Sequence, residues 1–415
     1  MPSINSLSFR CPALLLAMML LLASATANGQ SREDEDGEYL LSEPTYNALN
    51  KINEQLQDGN YNGALTALRK LEQAIAADDD YEQAVVNQTF GYAYNGLERY
   101  DQAAEAFIQA VESNALPADV SHRLTYFIAQ LLAQTGDYNR AISYLEDWLA
   151  AEDDPGVDAH RLAAGLYYEL KNYAGVIEQA QMAIRKSKKA NENLYQLLLA
   201  AYFETNDYGR AANLLERMLE LFPDNPDYWK QLAASYQFLD QDRKVLAVTE
   251  LANRRGYLNS QEKLNLARLY LSQQAPYRAA RFLEQEMANG RIEKNAKNLK
   301  LLADSFHLAR ETDAAIEAYG NAARAAGNPE LYFRQGQLLV QEQRWQEARD
   351  ALQQALQNND LDHRAMAHLL LGMSAYHLED YERASNALKR AREYDKTRSQ
   401  ADYWLRQIEE RSERD

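Results

Sequence analysis

The chain has 415 residues, with 61 acidic against 44 basic side chains and a formal net charge of −17. An anionic surplus of that size works against nucleic acid as a partner, because phosphates would be repelled. Cys11 is the only cysteine, so neither a disulfide framework nor a cysteine metal cluster can form within the chain.

In chain order, residues 1–27 read as a secretory signal. Arg10 leads into an apolar run from Cys11 to Leu22, and small residues end in Ala25, Thr26 and Ala27. The run is short for a bilayer span, and a retained anchor is the rival reading. Cleavage after Ala27 would leave no cysteine, which removes thiol catalysis as well. Export of such a chain points to the bacterial periplasm. Residues 28–43 follow as a linker, almost wholly polar and acidic from Ser31 to Glu38 and expected to be disordered. Residues 44–398 carry a helical repeat pattern without a further membrane-length apolar run. Residues 399–415 set Tyr403, Trp404, Leu405 and Ile408 among charges, the pattern of an amphipathic helix capping an open-ended array. The acidity is uneven: residues 28–222 hold 32 acidic and 15 basic side chains, residues 223–415 hold 29 and 28.

The repeat is marked by a tyrosine or tryptophan followed three residues later by a small residue. The pairs are Tyr61/Ala64, Tyr100/Ala103, Tyr138/Ala141, Tyr173/Val176, Tyr208/Ala211, Trp345/Ala348 and Tyr381/Ala384. Val245, Ala279 and Ala315 continue the series where the aromatic is replaced or shifted. The ten small positions lie 33–39 residues apart, a period that marks stacked supersecondary units whose hydrophobic faces only their neighbours can cover. In the ninth unit, Tyr332, Gly336 and Leu339 share one helical stripe. A break falls near Glu342 to Arg344, then Trp345, Ala348, Leu352 and Ala355 resume helical spacing. Gly336, Ala348 and Ala355 would let the two backbones approach, and bulk there would overpack the contact by roughly 1–3 kcal/mol per site. Pro117, Pro155, Pro223 and Pro329 stand where second helices stop.

From Thr45 to about Arg398 this pattern resembles the tetratricopeptide repeat (TPR) family, whose 34-residue unit combines these aromatic, glycine and alanine positions. The resemblance implies an all-α fold, a right-handed α-solenoid of about ten TPR helix-turn-helix repeats plus a C-terminal capping helix. Three units depart from the pattern. Ile52 replaces the first-helix glycine of repeat one, Asp242 replaces the aromatic of repeat six, and repeat seven is irregular around Ala275, Pro276 and Tyr277.

No catalytic constellation is legible. The chain has no glycine-rich phosphate loop and no serine at a nucleophile elbow, and its closest histidines, His363 and His368, are five residues apart rather than the four that would align them for zinc. The acidic runs Asp78 to Asp80 and Glu152 to Asp154 lack the ligand spacing and central glycine of a calcium loop. The cations Arg185, Lys186, Lys188 and Lys189 end the second helix of repeat four, where they complement the helix dipole. No metal and no cofactor is therefore expected.

What remains is a surface. The TPR resemblance implies a concave face lined by first helices, through the second, fifth, ninth, twelfth and thirteenth positions of each repeat. These project to the aromatics Tyr92, Tyr126, Tyr168, Phe203, Phe238, Phe333 and Tyr376. Between them stand Arg123, Arg161, Gln196, Lys230, Lys300 and Asp304. Such rows suit an extended peptide without internal hydrogen bonds, particularly a proline-rich one in polyproline II. For any single ring the alternative is packing between neighbouring repeats.

Leu221 to Leu239, Leu251 to Leu258 and Ala275 to Leu283 are similar to a narrower group, the exported TPR proteins encoded beside TonB, ExbB and ExbD in gammaproteobacterial iron-uptake clusters. That resemblance implies a non-enzymatic periplasmic scaffold accessory to TonB-dependent transport, with the TonB periplasmic domain or the ExbB/ExbD complex as partner. A proline- and lysine-rich TonB segment would suit both an aromatic groove and an acidic first half. The competing readings are an envelope-assembly scaffold that organises peptidoglycan or outer-membrane machinery, and an enzyme with its site hidden in the groove. The projected lining offers that enzyme no convergent titratable set.

Overall fold

Apolar residues at three- and four-residue spacing form helices along the whole described length, residues 39–357 and 360–412 of a computed structural model. Among the described residues there are 21 α-helices and no strand. The signal expected over 1–27 and most of the linker expected over 28–43 lie outside the described residues, and the first helix opens at Glu43.

The helices fall into two compact units divided between Phe222 and Pro223. In the first unit, α1 (Glu43–Gln57) pairs with α2 (Tyr61–Glu72), α3 (Asp80–Gly96) with α4 (Tyr100–Glu112), and α5 (Ala118–Thr135) with α6 (Tyr138–Ala151). The pairs α7 (Val157–Glu169) with α8 (Tyr173–Lys186) and α9 (Glu192–Glu204) with α10 (Tyr208–Leu221) complete it. In the second unit, α11 (Pro226–Phe238) pairs with α12 (Asp242–Arg254), α13 (Ser260–Ser272) with α14 (Pro276–Ala288), and α15 (Ala296–Leu308) with α16 (Thr312–Ala326). There follow α17 (Pro329–Gln341) with α18 (Trp345–Leu356), α19 (Arg364–His377) with α20 (Tyr381–Arg392), and a last helix, α21 (Arg398–Ser412), packed on α20. Within each unit every helix also packs on the next, so the ten expected helix-turn-helix repeats and the capping helix are all present.

One device makes all ten turns inside the pairs. Gly59, Glu98, Gly136, Lys171, Asn206, Asp240, Gln274, Arg310, Gln343 and Glu379 have φ between +54° and +87°, and each lies five residues before the small residue of its repeat. The amide of the next residue donates to the carbonyl five positions back, at 2.8–3.0 Å in every repeat, from Asn60 to Gln55 through Asp380 to Ala375. This closes a first-helix carbonyl that would otherwise be orphaned. The residue after the left-handed one then heads the second helix. Asn60, Asp137, Asn172, Asp207 and Asp380 also accept a backbone N–H with their side chains there. In repeat seven Ala275 keeps the backbone bond, donating to Tyr270 at 2.8 Å, while Pro276 occupies the first helical position.

The small residues sit where the pairs meet. Nine of the ten series members are completely buried or nearly so beside the facing helix, and Val245, the tenth, is 5% exposed. A Cβ on Gly91, Gly336 or Gly372 would come within 2.5–2.7 Å of Phe107, Leu352 or Leu388, the large residue of the second helix in each case. Ile52 and Leu199 take the corresponding position in repeats one and five, and both are buried. In repeat seven Lys263 and Glu286 form a buried ion pair at 2.7 Å between α13 and α14, and Lys263 also donates to Asn253 at 2.8 Å. At the start of the array, buried Glu82 on α3 accepts the Ser42 N–H at 2.6 Å and the Thr45 hydroxyl at 2.8 Å, fastening the start of α1 to α3. Burial pushes the Glu82 carboxyl up, but these hydrogen bonds outweigh it and hold the group below the usual carboxylate range.

Candidate peptide-binding surface

In the first unit the projected residues divide into rings that pack and groups that remain accessible. Tyr92 on α3 is half-buried, with its ring edge-on to Phe107 at 5.1 Å and its hydroxyl accepting from Gln88 at 3.3 Å. Burial pushes its phenol up, and the Gln88 bond and the nearby Arg123 charge oppose that push. Arg123 itself is exposed and paired with Asp119 at 2.7 Å. Tyr126 lies 4.5 Å from Trp148, which also stacks on His122, whose Nε2 is 2.9 Å from Glu152. Tyr126 thus wedges α5 against α6 more than it faces solvent. Arg161 is exposed and held by Asp158 at 2.8 Å, and Gln196 is exposed on α9. Tyr168 and Phe203 are half-buried at the ends of α7 and α9, each against the tyrosine that opens the following helix: Tyr173 at 6.2 Å and Tyr208 at 6.4 Å.

In the second unit Lys230 bridges to Glu262 at 3.0 Å, joining α11 to α13. Phe238, at the end of α11, is 65% exposed. Lys300 pairs with Asp304 at 2.6 Å, and Asp304 also accepts the Tyr319 hydroxyl at 2.7 Å, so that carboxylate is partly occupied in holding α15 to α16. Burial and the Asp304 carboxylate both push the Tyr319 phenol up. Phe333 does not line a surface. It is 2% exposed, stacked on His363 at 4.9 Å and clustered with Leu352, Ala355 and Leu361, because the segment leading into α19 folds over it. Tyr376 is half-buried beneath the capping helix, 5.0 Å from Trp404.

The sequence projection passed over an apolar cleft of about 410 Å³ between α19 and α21. Met366, Leu369, Leu370 and Met373 line it from one side, and Ser399, Gln400, Tyr403 and Trp404 from the other. A signal was present: Met366, Leu369 and Met373 hold the second, fifth and ninth positions of repeat ten, but they are not aromatic. The carboxylates Glu169 and Glu204 were passed over too, although they occupy thirteenth positions beside Tyr168 and Phe203. Among the described residues no group of three histidine, cysteine or acidic side chains is placed to hold a metal ion, and no helix is long and apolar enough to cross a membrane.

The sequence matches the tetratricopeptide repeat family over residues 89–156, 126–191 and 333–396 in one form and 192–235 in another, together about half of the chain. No curated protein matches it. Similar solved structures include a tetratricopeptide repeat protein from Parabacteroides merdae, 13% identical, covering 64% of this chain and 100% of its own, with a TM-score of 0.35. The C-terminal part of a TPR repeat-containing protein from Cytophaga hutchinsonii is 17% identical, with coverage of 66% and 94% and a TM-score of 0.36. MamA is 14% identical, covering 42% of this chain and 94% of its own, with a TM-score of 0.34.

Proposed function

We propose, from the premise that this chain belongs to the tetratricopeptide repeat family, that it is a non-enzymatic periplasmic scaffold accessory to TonB-dependent transport. TPR proteins mediate protein–protein interaction, and here the first helices hold an extended segment of the partner. The observation that carries the reading lies in the first unit, where the accessible rings Tyr168 and Phe203 alternate with the hydrogen-bonding groups Arg161 and Gln196 at first-helix positions. An extended peptide has no internal hydrogen bonds and needs both kinds of contact, rings for its side chains and polar groups for its backbone. TonB's proline- and lysine-rich periplasmic stretch has that chemistry, and the acidic first unit would speed its encounter.

Calorimetric titration of the purified chain with the TonB periplasmic domain tests this. Binding is expected at low salt, weakening as salt rises and weakening when Arg161→Ala is combined with Gln196→Ala. No binding at low salt, or binding indifferent to that pair, rejects the proposal.

A further inference from the structure

Repeats four and five carry the same small array twice. In repeat four, Tyr168 and Tyr173 meet edge to face at 6.2 Å and Glu169 follows Tyr168 at the end of α7. In repeat five, Phe203 and Tyr208 meet at 6.4 Å and Glu204 follows Phe203 at the end of α9. The arrays are neighbours: burial pushes the Tyr173 phenol up, and the Glu204 carboxylate of the next array pushes it further. The four rings are half-buried, whereas both carboxylates are exposed. Burial pushes the Tyr168 phenol up, and Glu204 and Glu169 push it further, so two negative charges act on one tyrosine.

Ring faces carry negative quadrupole potential, and a neighbouring carboxylate adds a full charge of the same sign. Such a surface attracts a cation and repels an anion. Lys171 is the only cation on the two turns and is exposed on the left-handed residue. The surroundings have the same sign, since the described part of this unit holds 27 acidic against 14 basic side chains.

The spacing selects a period. Helices α7 and α9 touch directly, and packed helices lie about 8–10 Å apart. A polyproline II chain presents the same face every three residues, at about 3.1 Å per residue, or about 9 Å. We propose that repeats four and five bind a cationic polyproline II segment of a partner protein, with lysine or arginine at every third residue and one cation over each aromatic–glutamate array. This rests on the extended-peptide reading above and narrows it to the peptide's charge and period.

Fluorescence anisotropy of the full chain with labelled (Pro-Pro-Lys)5 tests the proposal. Binding is expected to fall about tenfold when Glu169→Gln is combined with Glu204→Gln, and similarly for Tyr168→Ala with Phe203→Ala. Unchanged melting curves would show that the variants fold. A peptide of the same composition with its lysines contiguous is expected to bind more weakly, and (Pro-Pro-Glu)5 not at all. Failure of (Pro-Pro-Lys)5 to bind, insensitivity to the glutamate pair, or equal binding of the contiguous-lysine peptide overturns the inference. If the TonB domain still binds in a manner sensitive to Arg161→Ala and Gln196→Ala, this inference alone is lost. If neither binds, the extended-peptide reading goes with it.

Discussion

Eight of the ten turns inside the helix pairs hold a side chain in left-handed backbone, a conformation disfavoured by contact between Cβ and the following carbonyl. Only Gly59 and Gly136 avoid that contact. Gln274, exposed and at φ +54°, is the cleanest place to measure the strain. Gln274→Gly is expected to raise unfolding free energy by about 0.5–1 kcal/mol, net of glycine's greater freedom in the unfolded chain. Urea denaturation checks it, and a loss of stability would show that the turn is not under strain. The first-helix glycines face the opposite constraint. Gly336→Ala would set a methyl about 2.7 Å from Leu352 and is expected to cost roughly 1–3 kcal/mol. Gln346→Leu, on the exposed face of α18, should change stability by less than about 0.5 kcal/mol. Equal losses in the two variants would mean that the repeat phase is misassigned.

Each second helix inherits its first cap from the turn that precedes it, so turn and helix start are one element. Asp207 illustrates the coupling, since its side chain accepts the Arg210 N–H at 3.0 Å and pairs with the Arg210 guanidinium. The backbone hydrogen bond chiefly, then the Arg210 side chain, holds this carboxyl below the usual aspartate range despite partial burial. Asp207→Ala is expected to lower stability by about 1 kcal/mol at neutral pH. A depressed folded pKa stabilises fully above the unfolded value and loses its contribution as pH falls through the folded one. The gap between wild type and Asp207→Ala should therefore narrow below about pH 4. A gap independent of pH would remove the carboxylate from the explanation.

Across the chain, stability is shared between neighbouring repeats, because none covers its own apolar face. The charge is not shared. Residues 39–222 hold 27 acidic and 14 basic side chains, whereas residues 223–415 are nearly balanced, and the change falls at the boundary between the two compact units. Self-repulsion in the first unit is screened by salt over about 10 Å at 0.1 M. Hydrogen exchange measured at rising sodium chloride is therefore expected to show amides of α1–α10 gaining protection more than those of α11–α20. Uniform gains would locate the salt effect elsewhere, in burial rather than charge.

Residue spacing dictates the helices, their pairing and the repeat phase, down to Ala348 against α17 and Tyr381 at the head of α20. Those features depend on spacing within one repeat, and a three- or four-residue period forces a shared helical face wherever it occurs. The left-handed turn was present at a constant offset from every small residue, but seven different residue types fill it, so composition concealed it. Which groove positions are open follows instead from how the repeats pack. Phe333 and Lys300 stand at the same position of successive repeats, yet one is sealed beneath Leu361 and His363 while the other is exposed. Exposure depends on how the following repeat and its connecting segment fold back over a residue, a contact between positions some thirty residues apart that no local period encodes.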